Sequence, residues 1–333
     1  MQEAKNIVSD IKKGIIKPIY FLSGEEPFFI DAISDYIEKN LLDEAEKGFN
    51  QVVLYGRDVT VDDIVSNAKR YPMMAERQVV IVKEAQDLRA IENLAPYVEN
   101  HQPTTVLVVC YKYKKLDKRK ALYKALKVHG VHYENKKLYE NQVGDWIRRT
   151  TIAKGYHINP KAAQILVEYL GTDLSKVYNE LSKLMLVLPK DSEITLQAIE
   201  ENIGISKDFN IFEFRKAVGE RDAVKAHRIA IYFGQSPKEH PLVLTAGTLF
   251  SFFSQLLQYH GLPDRNKATV AKALRINPYF VGDYETAARN YPMKKVSQVI
   301  RLIRVLDGKS KGVDSGLATD TDALREFLVK AMG

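Results

Sequence analysis

Short apolar runs alternate with longer amphipathic stretches over residues 1–140, and this alternation limits the possible folds more than any other feature. The apolar runs are rich in β-branched and aromatic residues and lie at 18–22, 51–55, 78–82, 104–110 and 131–133. The stretches between them, near 27–40, 60–70, 88–100 and 117–129, have the periodicity of helices. Near-continuous apolar strands that alternate with helices are typical of a parallel sheet covered on both faces. The first part of the chain is therefore predicted to be an α/β domain.

From about residue 141 onward the pattern is helical, and no further strands are predicted. Asn159 followed by Pro160, and the Thr172-Asp173 pair, have the form of helix starts. Beyond about residue 209, wide apolar stripes joined by short loops predict a helical bundle. The predicted domains are 1–140, 141–208 and 209–333.

The most apolar long stretch of the helical part spans residues 241–259. It carries Thr245 and several other polar residues, which favours a buried helix over a membrane span. The aromatic residues Phe250, Phe252 and Phe253 within it are predicted to lie in the core.

The composition is that of a soluble globular protein, with 45% hydrophobic and 27% charged residues in a chain of 333. The single cysteine, Cys110, excludes an internal disulfide framework and fits a reducing compartment. The first residues include Gln2, Glu3 and Lys5 and show no apolar leader, so no signal peptide is expected. A cytoplasmic location with no membrane partner is expected.

The first strand-to-helix turn, Gly24-Glu25-Glu26-Pro27, lies where a parallel sheet of this kind binds ligands. A phosphate-binding loop would need further glycines, a lysine and a hydroxyl residue, whereas here two carboxylates occupy the position. The third strand ends in Lys83-Glu84, where an ATPase would place a metal-holding aspartate. These departures predict a nucleotide-binding architecture without its chemistry. The seven histidines form no metal-binding pair of the HxxxH kind, and no active site, metal or cofactor is expected.

A basic segment runs from residue 112 to 127, and the net charge of +7 suggests an anionic partner. Its cationic residues are Lys112, Lys114, Lys115, Lys118, Arg119, Lys120, Lys124 and Lys127. Interleaved with tyrosines, they could contact a nucleic-acid backbone, although a solvated helix face gives the same pattern. Tyr279 and Phe280, after a helix start at Asn277-Pro278, could likewise stack on a nucleic acid or simply pack.

The stretch from Lys69 to Arg77 places two adjacent methionines, Met73 and Met74, directly before the third apolar run. Pro72 is expected to end the preceding helix, because proline lacks an N–H and clashes with the turn before it. Adjacent residues on a short helical turn cannot both face one core, so at least one methionine is expected to point outward. The alternative is that both are gap-filling core residues. An exposed, polarizable methionine would suit another protein's pocket.

Several stretches together resemble the delta subunits of the bacterial DNA polymerase III clamp loader. They are residues 18–29 (PIYFLSGEEPFF), Leu116-Asp117-Lys118-Arg119, 170–174 (LGTDL), 179–184 (NELSKL) and 208–213 (DFNIFE). The resemblance covers essentially the whole chain. It implies a RecA-like AAA+-type domain without ATPase activity, a small helical lid-type domain and a helical collar domain for oligomerisation.

The resemblance also implies a role for the methionine stretch. In delta subunits, a leucine–phenylalanine-like pair before the third strand plugs a pocket on the sliding clamp and helps to open it. Tyr71, Pro72, Met73 and Met74 fall at that place. The implied partners are the sliding clamp (beta), the ATP-binding gamma/tau subunits, delta-prime and primer–template DNA. The alternatives are a diverged AAA+ ATPase and a general DNA-binding protein that uses the basic segment. Possible DNA contacts in either setting are Lys112, Lys114, Lys115, Arg119, Tyr279 and Phe280.

Overall fold

The computed structural model describes residues 2–206, 208–313 and 319–333. Contacts between Cα atoms divide the chain into two compact units, Met1–Leu138 and Tyr139–Gly333. The further division of the helical part near residue 209 stays a prediction.

The first unit is built on a parallel sheet of five strands, as the alternation of apolar runs predicts. The strands are β1 (Ile19–Gly24), β2 (Gln51–Tyr55), β3 (Gln78–Lys83), β4 (Thr105–Lys112) and β5 (Val131–Asn135). Their order across the sheet is β2-β3-β4-β1-β5, and every neighbouring pair is parallel. The helices of this unit are α1 (Gln2–Lys12), α2 (Pro27–Asn40), α3 (Glu44–Asn50), α4 (Val61–Ala68), α5 (Ala95–Glu99) and α6 (Ala121–His129).

Burial on both faces of the sheet explains why its central strands, β1, β3 and β4, are largely apolar. Val80, Val82 and Leu107 pack in one cluster with residues of α4, α5 and α6. Alternate residues point to the opposite face, where α2 packs against β1, β3 and β4. The central strand residues on both faces are buried, so helices cover the sheet on its two sides.

Three details of the first unit differ from the sequence prediction. The predicted helix at 88–100 is a 3₁₀ turn, Ile91–Leu94, followed by the short α5. Helices α1 and α3 were not predicted, because their sequences are largely polar and bury few residues. The strands also extend beyond the apolar runs at their carboxyl ends, into Lys83, Lys112 and Asn135.

The second unit is mostly helical, as predicted. Its helices are α7 (Glu140–Ile152), α8 (Pro160–Leu170), α9 (Leu174–Val187), α10 (Leu196–Ile203), α11 (Ile211–Glu220), α12 (Ala223–Gln235), α13 (Leu242–His260), α14 (Lys267–Leu274), α15 (Val281–Asn290), α16 (Met293–Ser310) and α17 (Asp320–Met332). A 3₁₀ turn, Pro278–Phe280, leads into α15. The expectation of no further strands is wrong, because His157–Ile158 (β6) and Glu193–Ile194 (β7) form a two-stranded parallel sheet.

Helix starts in the second unit follow the expected capping chemistry. The Asn159 side chain accepts a hydrogen bond from the Ala162 N–H, and the Asp173 carboxylate accepts from Ser175 and Lys176. These bonds satisfy N–H groups that have no partner within the first turn of a helix. The two starts predicted from sequence are confirmed.

Helix α13 is a core helix of the second unit, although its length and composition alone would allow it to cross a membrane. Leu249, Phe252 and Phe253 are buried among residues of the neighbouring helices. The prediction that Phe250 also lies in the core is wrong, because its side chain is 51% exposed. Phe250 thus lies outside the buried face that Leu249, Phe252 and Phe253 form.

Candidate functional site

The loop of residues 69–77, called here the methionine loop, connects the end of α4 to the start of β3. It therefore lies at the edge of the sheet where the parallel strands begin. The expected short helical turn is absent, since these residues form turns and bends. Tyr71, Met73 and Met74 are all exposed, with Met73 56% exposed and Met74 entirely so. The alternative that both methionines fill gaps in the core is wrong.

The start of the methionine loop is fixed by side chains of three other elements. The carbonyl oxygen of Ala68 accepts hydrogen bonds from the Thr105 hydroxyl at 2.8 Å and the Tyr97 hydroxyl at 3.2 Å. The buried Gln78 amide lies within hydrogen-bond distance of the carbonyl oxygen of Arg70 and of the Thr105 hydroxyl. These hydrogen bonds fix the direction in which the chain leaves α4.

The middle of the loop is held by Asn50, the last residue of α3. Its side-chain Oδ1 accepts a hydrogen bond from the Met73 N–H at 2.7 Å, and its Nδ2 donates to the Met73 carbonyl oxygen at 2.9 Å. In the described chain, no backbone–backbone hydrogen bond involves residues 71–77. Side chains from outside the loop therefore determine its shape.

Met74 adopts a left-handed backbone conformation, with φ at 54°. For a residue with a Cβ this region costs roughly 1–2 kcal/mol, so it persists only where the surroundings impose it. A residue that is both strained and fully exposed contributes little to the stability of the fold. Met74 therefore presents its side chain to solvent from a strained backbone position.

The opposite edge of the sheet, where the strands end, carries the strand-to-helix turn at which a nucleotide-binding fold would bind phosphate. The Glu26 carboxylate accepts a hydrogen bond from the Phe28 N–H at 3.3 Å and thereby caps α2. Asn135 holds the Glu26 backbone, accepting from its N–H at 2.8 Å and donating to its carbonyl oxygen at 2.9 Å. In phosphate-binding folds this helix start receives the anion. Here the chain's own carboxylate occupies it.

The charged residues along this edge are paired with one another. Lys112 Nζ lies 2.8 Å from Asp31 and 3.1 Å from Glu84, and Lys83 Nζ lies 2.7 Å from Glu38. Burial lowers the pKa of Lys112, but its hydrogen bonds to the two carboxylates outweigh burial and raise it. Lys112 is therefore a fixed cation inside a network.

The predicted DNA-contact residues are mostly engaged within the chain. Lys114 Nζ donates to the Gln86 carbonyl oxygen at 2.7 Å, and Lys115 Nζ lies 2.8 Å from Glu25. Arg119 makes two hydrogen bonds to the nearby Asp117 carboxylate, at 3.0 and 2.9 Å. With Lys112, three of the segment's eight cations, Lys112, Lys115 and Arg119, thus have a carboxylate partner within the chain.

Tyr279 and Phe280 differ in their surroundings. Tyr279 is exposed, whereas Phe280 is buried with its ring centroid 5.2 Å from that of Phe212. Stacking of Phe280 on a nucleic acid is therefore incompatible with this structure, and packing accounts for it. Tyr279 remains available at the surface.

Comparisons with known proteins agree with the architecture. A family model described as DNA polymerase III, delta subunit, matches residues 20–136, which include the methionine loop. DNA polymerase III subunit delta of Bacillus subtilis is 27% identical over 318 residues, covering 92% of this chain and 91% of that protein. The resemblance to DNA polymerase III delta subunits is confirmed.

A solved structure of the Bacillus subtilis DNA clamp loader delta protein has the same fold. It superposes with a TM-score of 0.56 at 24% identity, covering 99% of each chain. The α/β unit followed by a helical remainder is thus an architecture that the two chains share.

Asn50 and Gln78, which hold the methionine loop, were not singled out from the sequence. Asn50 directly precedes the first residue of β2, and Gln78 is the first residue of β3. A polar side chain at such a position is easily attributed to the end of a strand. Both side chains are buried, and a buried amide needs hydrogen-bond partners, which would have pointed to their role. That burial becomes visible only in the folded unit.

Proposed function

We propose that this chain is a clamp-loader delta subunit, which binds a ring-shaped sliding clamp and helps to open it for loading on primed DNA. The observation that carries the proposal is the exposed pair Met73 and Met74 on an anchored loop, in a chain similar to delta subunits. Methionine is flexible and polarizable and adapts to the shape of an apolar pocket. Tyr71 and Pro72 precede the pair and extend the proposed contact surface.

The proposed mechanism uses binding energy rather than catalysis. Burying two methionine side chains stabilises a complex by about 3–6 kcal/mol, which is enough for a small hot spot to determine affinity. Opening the ring requires that the subunit bind the open or distorted clamp better than the closed one. A strained loop that presents apolar side chains is suited to such differential binding.

The chain is proposed to act without hydrolysing ATP, which the partner subunits would bind. The start of α2 is capped by Glu26, and Lys83 and Lys112 are paired with carboxylates of the chain itself. A phosphate group would have to displace the Glu26 carboxylate from the start of α2. It would also have to compete with the carboxylates that pair with Lys83 and Lys112. We infer that nucleotide acts elsewhere in the assembly.

Titration of the full chain with Mg-ATP is expected to give no saturable heat of binding, because the anion site at α2 is filled by a carboxylate. The measurement is calorimetry, with an active AAA+ ATPase titrated alongside as a positive control. Stoichiometric binding of Mg-ATP would contradict the proposal and favour a diverged ATPase.

The proposed partners are those of a replicative clamp loader in the bacterial cytoplasm. They are the sliding clamp (beta), the gamma/tau subunits, delta-prime and, within the complex, primer–template DNA. Residues 141–208 would serve as a lid-type domain and residues 209–333 as the collar that joins the other subunits. Because Lys112, Lys115 and Arg119 are paired within the chain, the isolated chain is not expected to bind DNA tightly.

Binding and opening can be tested with the purified chain and its cognate clamp. We expect a stoichiometric complex in gel filtration, and an increased distance between two fluorophores placed across one subunit interface of the ring. Dyes within one clamp subunit provide the control and should not separate. The absence of any complex would refute the proposed function and leave the fold unaffected.

A further inference from the structure

Asn50 makes contacts that go beyond those needed to end its own helix. Its side chain is 2% exposed, and Nδ2 donates both to the Glu46 carbonyl oxygen of α3 at 3.2 Å and to Met73 at 2.9 Å. Oδ1 accepts from the Met73 N–H at 2.7 Å. One amide thus joins the end of α3 to the middle of the methionine loop, which lies 23 residues further along the chain.

We propose that Asn50 is a positioning residue that holds the methionine loop ready for partner binding, an inference that rests on the proposed function. Both backbone hydrogen-bonding groups of Met73 are fixed by this one side chain. Fixing them sets the direction in which Met73 points and the starting point of the left-handed residue Met74. Without Asn50, residues 71–77 have no backbone–backbone hydrogen bond in the described chain to keep this shape.

The chemistry requires an amide at position 50. Two carbonyl oxygens, those of Glu46 and Met73, face the nitrogen of the side chain, and one N–H faces its oxygen. An aspartate would keep the acceptor but would place a negative oxygen against the two carbonyls. It would also add a negative charge at the end of a helix, where the dipole disfavours it. Asn50→Asp should therefore release the loop with almost no change in side-chain volume.

Releasing the loop lowers the fraction of molecules in the binding-competent shape, and the apparent affinity falls by the same fraction. A loop that spends about a tenth of its time in the competent shape would bind the clamp about tenfold more weakly. The same release exposes the Met73 amide to solvent, so its hydrogen exchange should accelerate. The second effect occurs in the free chain and does not depend on any partner.

Asn135 provides a matched control. It is 6% exposed, holds the N–H and the carbonyl oxygen of Glu26 in the same two-ended manner, and lies at the opposite edge of the same sheet. Asn135→Ala removes an equivalent pair of hydrogen bonds without touching the methionine loop. A general loss of stability would therefore appear in both variants.

The experiment compares the full chain with Asn50→Ala, Asn50→Asp and Asn135→Ala, by amide hydrogen exchange and by affinity for the cognate clamp. We expect both Asn50 variants to exchange the Met73 amide about tenfold faster or more and to bind the clamp about tenfold more weakly. Exchange at the core amides of Val80 and Ile81 should change no more than in Asn135→Ala. Asn50→Asp keeps the test valid if Asn50→Ala fails to fold.

Two results would overturn the inference. One is unchanged Met73 exchange in both Asn50 variants; the other is unchanged clamp affinity although exchange at Met73 has accelerated. If the unmodified chain does not bind the clamp at all, the proposed function fails, and with it the role of Asn50 in partner binding. The exchange data then still show whether Asn50 fixes the loop, so the two failures are distinguishable.

Discussion

Replacing Met73 and Met74 together by alanine is expected to weaken binding to the sliding clamp by about 10²–10⁴-fold. Both side chains are exposed in the free chain. The free energy gained by burying them in a partner's pocket would therefore stabilise the complex and not the free chain. Each contributes about 1.5–3 kcal/mol when fully buried. The measurement is the dissociation constant of the variant and of the unmodified chain for the cognate clamp.

The chain offers its own control for this experiment. In the helical unit, Tyr291-Pro292-Met293 repeats Tyr71-Pro72-Met73 without the second methionine, and Met293 is half exposed. Met293→Ala removes an exposed methionine in a similar sequence context and should leave clamp affinity unchanged. Equal loss of affinity in both variants, or none in the double variant, would contradict the assignment of the methionine loop.

The sheet could be predicted from the sequence because its central strands, β1, β3 and β4, are buried on both faces. Such strands must be apolar throughout, and their apolar runs can be recognised in the sequence without knowing which elements pack against them. Helices α1 and α3 could not be predicted in the same way, since each buries only a narrow stripe. The pair β6 and β7 has two residues in each strand, which is too short to leave a periodic pattern.

The place of the candidate site could be proposed from resemblance, but its shape could not. The backbone of Met73 is hydrogen-bonded to Asn50, which precedes it by 23 residues, and the start of the loop is hydrogen-bonded to Thr105. Those contacts exist only once β2, β3 and β4 lie side by side. Local sequence around the methionines therefore left both the core and the surface interpretations open.

The charge that the basic segment presents could not be inferred from sequence alone for a related reason. Lysines close together in sequence suggest a surface of high charge, but Lys112 meets Asp31 and Glu84, and Lys115 meets Glu25. These carboxylates belong to elements far away in the chain that the parallel sheet brings to the same edge. Neighbouring charges in sequence are thus partly neutralised in the fold.

Phe253→Ala is expected to destabilise the helical unit by about 3–5 kcal/mol, because it leaves a cavity that the neighbours fill only in part. Phe253 is 0% exposed, and its ring centroid lies 5.4 Å from that of Phe252 and 5.2 Å from that of Tyr291. Both contacts are edge-to-face, an arrangement that adds to the energy of burial. Truncation of Phe253 removes both contacts together.

Phe250→Ala is the matched comparison, since it makes the same change in the same helix at a side chain that faces solvent. Its effect on the free energy of unfolding should stay within about 0.5 kcal/mol, as for surface substitutions in general. Urea unfolding followed by circular dichroism measures both, with the fluorescence of Trp146, the single tryptophan, as a second probe in the same unit. Similar midpoints for the two variants would show that α13 is not packed through Phe253. A large loss for Phe253→Ala alone would place the core of the helical unit on that side of the helix.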